Sequence, residues 1–390
     1  MKTQPSQLIY KENIVIKKYT LDKYIKNFKS ELEVLSTFKS EYCIKIWDIT
    51  HNGYTMEKLD FSLGNGKGIN EKNIRRILFS LSISDLLLML DNIGSDLLRY
   101  GIEHRDFNPG NILWSEKDCT LKVIDFFWSR IKNKDVYIPS YANPLYGQND
   151  IEAIKKIKKD INVVFEKMKL EIETAKKLFE KIGIGEYKDG SSSSPGRAYH
   201  IVDIPEFRNI PYSKDACIKE YSIIKNNLQI KPKSFIDIGC ADGYFTFNLL
   251  RDFNIKYAKA FERDILPLEF LKYIKLIYRL NEVEFTDTVD DNSIIDKVDI
   301  AIFLNSHMWI YKQLGKERTL KVVRNIISKT KYMFFQTAAG YSKGRYRVEE
   351  YKTKLDIKQM LYDAGAKDVK HISTNIGIHN APRDMFMVKG

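Results

Sequence analysis

The sequence predicts a protein of two domains, an α+β unit followed by an α/β unit. Three observations carry this. A segment of small polar residues with Gly and Pro, 190–196, cannot hold a packed element and interrupts the 390-residue chain near its middle. Before it, short alternating runs give way to long amphipathic helices. After it, strand-like and helical segments alternate, the pattern of a sheet covered by helices on both faces. Apolar residues make up 44% and aromatics 12%, enough for each domain to bury a core and enough to exclude a disordered chain. The expected domains are 1–185 and 198–390, joined by a linker at 186–197.

In chain order, the first domain opens on alternating runs at 13–19, 43–47 and 54–56, the last after an Asn52-Gly53 turn. Helical spacing over 22–38 puts Leu32, Leu35 and Phe38 on one face, and apolar positions are helical again from 73 to 100. Residues 123–124 read as a short strand. Ile151, Ile154, Ile157, Ile161, Val164, Phe165 and Met168 mark one or two amphipathic helices over 149–182. That stretch is basic, which admits peripheral contact with an anionic membrane surface. Its acidic Glu166, Glu171 and Glu173 favour a core-facing or interdomain helix instead. In the second domain, strands are expected at 234–238, 258–262, 283–285, 299–304, 332–336 and 384–388. Helices are expected at 245–251, 266–280, 317–329 and 354–364.

Lys plus Arg is 63 against 51 for Asp plus Glu, a net charge of +12. This suits a polyanionic partner such as nucleic acid, nucleotide, phosphorylated glycan or anionic membrane; Lys-rich usage over a solvated surface gives the same number. Cys43, Cys119, Cys217 and Cys240 form no CxxC metal pair and read as reduced thiols. The segment after Met1 lacks the apolar core of a signal peptide, and no apolar run approaches the roughly 20 residues of a membrane span. The expected compartment is the cytoplasm.

His104-Arg105-Asp106-Phe107-Asn108-Pro109-Gly110-Asn111 fits H-R-D-x-x-x-x-N, and Val123-Ile124-Asp125-Phe126-Phe127 follows. Phosphoryl transfer needs a carboxylate to orient an acceptor hydroxyl, an amide oxygen for Mg²⁺ on the same loop, and a second carboxylate between metal and phosphates. These motifs resemble the catalytic loop and D-F-G strand of the protein kinase superfamily; the Asn-Pro-Gly-Asn form is similar to aminoglycoside and sugar phosphotransferases. The resemblance implies a reduced bilobal kinase-like domain binding ATP and Mg²⁺, with Asp106 as catalytic base and Asn111 and Asp125 as metal ligands. It further implies Lys17 as the phosphate-binding lysine and Glu31 as its helical partner. The hinge is placed at Glu57. Two departures stand out. The glycine-rich phosphate loop is unrecognisable, since Gly64-Asn65-Gly66-Lys67-Gly68 follows the hinge and reads as a turn. Phe127 also stands where a glycine is expected. Both leave room for a pseudokinase.

Ser234-Phe235-Ile236-Asp237-Ile238-Gly239-Cys240-Ala241-Asp242-Gly243-Tyr244-Phe245 reads as strand, glycine turn and helix, a turn that lets backbone approach a nucleotide closely. It resembles the first motif of class I S-adenosylmethionine-dependent methyltransferases, which implies a Rossmann-like sheet. Gly239, Cys240, Ala241, Asp242 and Gly243 would line the cofactor. Asp237 would meet its ammonium, and Glu262, at the end of the next strand, its ribose hydroxyls. Asp287, with Asp290 as an equal candidate, would accept from the adenine amine. NAD is the rival occupant of such a fold; the turn lacks the second glycine that a pyrophosphate needs. The fourth strand leads into Asn305-Ser306-His307, where His307 is a candidate general base for a hydroxyl acceptor. Arg197, Tyr199, His200 and Arg208, ahead of the core, are candidates to grip an anionic acceptor.

The pair of domains resembles the bifunctional kinase–methyltransferases that terminate bacterial O-antigen chains, with the domain order reversed. This implies phosphorylation of a glycan or small hydroxylated acceptor and then methylation, onto that phosphate in those enzymes. The rival reading is an RNA methyltransferase with a kinase-like binding module, supported by the charge but not by any RNA-binding signature. A nucleotide-sensing scaffold is the non-enzymatic reading.

Overall fold

The computed structural model describes residues 6–19, 24–132, 149–184, 202–208, 216–341, 347–376 and 382–390. The chain divides into two compact units, Met1–Leu170 and Glu171–Gly390. The division falls inside a long helix, upstream of the segment expected as linker, which lies outside the described residues.

The first unit begins with strands β1 (Ser6–Tyr10) and β2 (Ile14–Tyr19), helix α1 (Ile25–Thr37) and strands β3 (Ile46–Thr50) and β4 (Gly53–Glu57). The strands form an antiparallel sheet in the order β1-β2-β4-β3. Side chains alternate across a strand, so Val15, Lys17 and Tyr19 share the buried face of β2. The next elements are β5 (Phe61–Ser62), the hairpin β6 (Gly64–Asn65) and β7 (Gly68–Ile69), α2 (Glu71–Leu78) and α3 (Ile83–Arg99). The Gly64–Gly68 stretch is thus the turn expected of it. The helical spacing expected over 73–100 is met by two helices, set at 109° to each other. Ser82 explains the break: its side chain accepts the Asp85 N–H at 3.1 Å and starts α3 afresh. Strands β8 (Ile102–Glu103), β9 (Ile112–Ser115), β10 (Thr120–Val123) and β11 (Arg130–Ile131) and helix α4 (Asp150–Ile184) follow. In α4, Ile154, Ile157, Ile161, Val164 and Met168 are buried, the expected inner face.

The second unit contains α5 (Ala216–Asn227), β12 (Ser234–Ile238), α6 (Tyr244–Asp252), β13 (Tyr257–Phe261), α7 (Ile265–Tyr278), β14 (Val283–Thr286) and β15 (Val298–Leu304). It ends with α8 (His307–Lys329), β16 (Thr330–Gln336), α9 (Lys354–Asp363), β17 (Asp368–Ile376) and β18 (Pro382–Lys389). The seven strands lie in the order β14-β13-β12-β15-β16-β18-β17. Pairing is parallel from β14 to β16, and β18 runs antiparallel to both its neighbours. This is the doubly wound α/β sheet expected. Strands buried on both faces read as continuous apolar runs, as β15 does. The succession leaves β12 toward β13 and returns to its other side at β15. That reversal opens a crevice at the carboxyl ends of β12 and β15, where α/β sheets hold ligands. Among the described residues, no single helix is long and apolar enough to cross a membrane.

Candidate active sites

In the first unit, charge organises the site. Lys17 stands opposite Tyr54 in the β2–β4 register. Its ammonium lies 2.8 Å from Glu31 Oε1, on α1, and 2.6 Å from Asp125 Oδ1, just past β10. Lys17 and Glu31 are both buried. Burial alone would lower the lysine, yet Asp125 and Glu31 together hold it well above its ordinary value. Burial likewise works to raise Asp125, and the Lys17 charge holds it below the usual carboxylate range. Glu31 also accepts the hydroxyls of Tyr54, at 3.1 Å, and Tyr19. Three donors on one buried carboxylate make its charge tenable.

The H-R-D loop meets this cluster from below. Asp150 accepts the backbone N–H groups of His104, at 2.6 Å, and Arg105, at 2.9 Å. His104 Nε2 lies 2.9 Å from the Ile124 carbonyl, tying the loop to the strand that delivers Asp125. The Asp106 carboxylate accepts from the side-chain amides of Asn108, at 3.0 Å, and Asn111, at 3.1 Å. Burial raises the Asp106 pKa, opposed by His104 and reinforced by Asp125. With its nitrogen spent on Asp106, Asn111 keeps its amide oxygen. The Ile124 N–H donates to the Asn111 carbonyl at 3.0 Å, so Asn111 and Asp125 sit on adjoining segments. Among the described residues, no group of three or more His, Cys, Asp or Glu side chains could hold a metal alone. Two oxygen donors nevertheless fit Mg²⁺, which takes its other ligands from phosphates and water. Glu57 does not turn its side chain to this cluster: its carboxylate accepts the Lys45 N–H at 2.9 Å and its own N–H donates to the Lys45 carbonyl.

In the second unit, backbone organises the site. Gly239 has φ +73°, and a Cβ there would lie 2.1 Å from Ser306 Oγ. Ser306 in turn donates to the Ile238 carbonyl at 2.7 Å, closing the crevice floor between β12 and β15. Ala241 and Gly243 also have positive φ. The Gly239 and Cys240 N–H groups donate to the Phe261 carbonyl. Glu262 is tied to this turn: Oε2 accepts the Ala241 N–H at 2.7 Å and Oε1 the Asp264 N–H at 2.8 Å. Burial pushes its pKa up to about 7. Buried Asp237 accepts the Thr246 hydroxyl at 2.7 Å, and Asp242, in the turn that follows, is also buried. Burial pushes the Cys240 thiol far up, so it is no thiolate. Asp287 is exposed at the carboxyl end of β14 and accepts the Thr288 N–H. Arg263 stacks on Trp309 of α8, 5.5 Å from the ring centroid. Positive-φ turns beside a buried acid with two oxygens fit an adenosyl cofactor: backbone would line the turn and the acid could accept from a diol.

His307 corrects an expectation. It is 1% exposed and packed among Phe303, Phe335, Tyr311 and Tyr351. Burial lowers its pKa to about 3, and Nδ1 lies 3.2 Å from Thr337 Oγ1. This is the position of a packing residue, sealed from solvent, and not of a base reaching an acceptor. Arg208 pairs with Asp203 at 2.8 Å. Arg197, Tyr199 and His200 lie outside the described residues.

The sequence reading missed Tyr19, Tyr54 and Asp150. Two had a legible signal. Tyr19 is two residues beyond Lys17 on a strand, hence on the same face, and Tyr54 falls in the paired strand. Asp150 had none, because its partners lie more than forty residues away.

No family model and no curated protein matches the sequence. Among solved structures, WbdD is 15% identical, with 50% of this chain and 45% of that one covered and a TM-score of 0.41. A second WbdD structure, described as a bifunctional kinase-methyltransferase, gives 14%, 50%, 44% and 0.39. A SAM-dependent methyltransferase from Aquifex aeolicus gives 13%, 44%, 87% and 0.33. The chain therefore spans under half the length of the WbdD chains it matches. The fold assignment rests on the strand order and turn geometry above.

Proposed function

We propose that the chain is a two-site transferase. The first unit phosphorylates a hydroxyl on a glycan or small molecule with ATP and Mg²⁺; the second methylates with S-adenosylmethionine, onto that phosphate. The observation that carries this is convergence. Lys17, Glu31 and Asp125 meet in one cluster, and the Gly239 turn meets Glu262 in another. In the first, Asp106 is held by two amides where it can orient a hydroxyl and take its proton. Asn111 and Asp125 would hold the metal, which supplies charge neutralisation at the phosphates. Lys17 would accompany them as a phosphate contact. In the second, Glu262 and the turn hold the adenosyl moiety. A phosphate monoester is already a nucleophilic anion, so its methylation needs positioning more than a base. That agrees with His307 being sealed in the core.

The test is to supply glycan extract, labelled methyl donor and the full chain, with and without prior incubation with ATP. Methyl incorporation should require ATP. Full-rate methylation without it would break the sequential scheme and leave an independent methyltransferase.

A further inference from the structure

We propose that Phe127 and Tyr19 form an aromatic lock that fixes Asp125 against Lys17, a positioning role for two residues outside the catalytic groups. It rests on the phosphotransfer reading of that site. Where D-F-G would offer a freely rotating glycine, this chain has Asp125-Phe126-Phe127. The two rings anchor on different sides. Phe126, fully buried, packs on His104, with centroids 4.8 Å apart, and on Phe38, at 5.7 Å. Phe127 stacks on Tyr19, with centroids 5.5 Å apart and planes 16° from parallel, and meets Trp128 edge-on at 4.5 Å.

The Tyr19 hydroxyl then donates to Glu31 Oε2. Glu31 Oε1 holds Lys17, and Lys17 holds Asp125. The contacts therefore close a ring that leaves Asp125 along the backbone and returns to it through side chains. The ring answers a local need. Asp125 has φ +59° and ψ +60°, a left-handed conformation that is unfavourable for a non-glycine residue and persists only when its surroundings enforce it. Stacked aromatic pairs add stability beyond burial and so help to hold it. The metal-facing carboxylate would then be preset, not recruited when nucleotide arrives.

Amide hydrogen exchange on the full chain tests the lock without any ligand. In Phe127→Gly, exchange over 124–129 should accelerate by about tenfold, the equivalent of one stacked pair, while β9 keeps its protection. Phe127→Tyr should restore the wild-type pattern. Apparent Mg²⁺ affinity at fixed ATP, read by calorimetry, should fall about tenfold in Phe127→Gly and recover in Phe127→Tyr. Where glycine unfolds the unit, as loss of β9 protection would reveal, Phe127→Leu keeps the volume and removes the ring. Unchanged protection over 124–129 in the ring-free variants would overturn the lock. A wild-type chain that binds no Mg·ATP, yet shows the predicted exchange changes, would overturn the phosphotransfer reading and leave the lock standing.

Discussion

In the first unit the site is held by side chains that grip one another, and in the second by a backbone bend that side chains merely trim. Lys17 and Tyr19 on β2, Glu31 on α1, Tyr54 on β4 and Asp125 beyond β10 are joined by charge and hydrogen bonds. Gly239, Ala241 and Gly243 come from one turn, and their contribution is left-handed backbone. Under the proposed function, the difference follows from ligand charge. A triphosphate with Mg²⁺ needs fixed cations and carboxylates, so residue identity is paramount. A neutral nucleoside bearing a sulfonium needs close approach and a diol acceptor, so the absence of side chains matters as much as their presence. The first site should therefore fail through electrostatics and the second through sterics.

The largest effect expected is on stability, from Lys17→Met. It leaves the fully buried Glu31 without its cation. Removing one partner of a buried pair costs about 3–5 kcal/mol, and the Tyr19 and Tyr54 hydroxyls, which remain, place this case at the lower end. Denaturant unfolding should show the first unit melting earlier. Cofactor binding by the second unit serves as the internal control. A loss below about 1 kcal/mol, the range of exposed pairs, would show that charge does not organise this site.

Gly239→Val probes the other half of the comparison. Its Cβ would fall on Ser306 Oγ, and a β-branched residue is poorly tolerated at φ +73°. S-adenosylmethionine affinity, by calorimetry, should drop by about 100-fold or more, roughly 2.7 kcal/mol, with Mg·ATP binding unchanged. Equal affinity in the variant would remove the turn from the cofactor site.

The same contrast governs what the sequence discloses. Strand β12 is legible to the residue, and the other expected strands of that sheet fall within two residues of those observed, because continuous apolar runs bounded by turns permit few registers. The penultimate strand, β17, went unread: Asp-Val-Lys-His-Ile-Ser-Thr-Asn-Ile alternates polar with apolar only weakly and carries a bulge between His371 and Ser373. In the first unit the short strands β5 to β9 and β11 were equally silent, since two- to four-residue pieces have no period to detect. The candidate residues Lys17, Glu31, Asp106, Asn111 and Asp125 could be named because motifs fix residue type and order. Their supports were less legible. Tyr19 shares a strand face with Lys17 and Phe127 stands beside Asp125, but neither position discloses the stacking between the two rings, and Asp150 meets His104 and Arg105 across more than forty residues. His307 was misread for a related reason: sequence places it after β15 but does not show the four aromatic rings that enclose it.

The smallest effect on cofactor affinity, and the one that most sharpens the comparison, is the pH response of Glu262. Burial raises its pKa from 4.5 to about 7, so the folded protein prefers the protonated acid across that interval. Stability from this group is therefore full below about pH 4.5 and is lost as pH rises through 7, by roughly 3 kcal/mol in total. Cofactor binding runs the other way. Two ribose hydroxyls donate best to a carboxylate, so the ligand selects the ionised form, which is about one-tenth populated at pH 6 and nine-tenths at pH 8 for a pKa near 7. Affinity for S-adenosylmethionine should thus rise about tenfold between those values. Glu262→Gln should bind more weakly at pH 8 and show a flat profile. A flat profile in the wild-type chain would mean that the carboxylate serves only the Ala241 and Asp264 amides, and the second site would then be backbone alone.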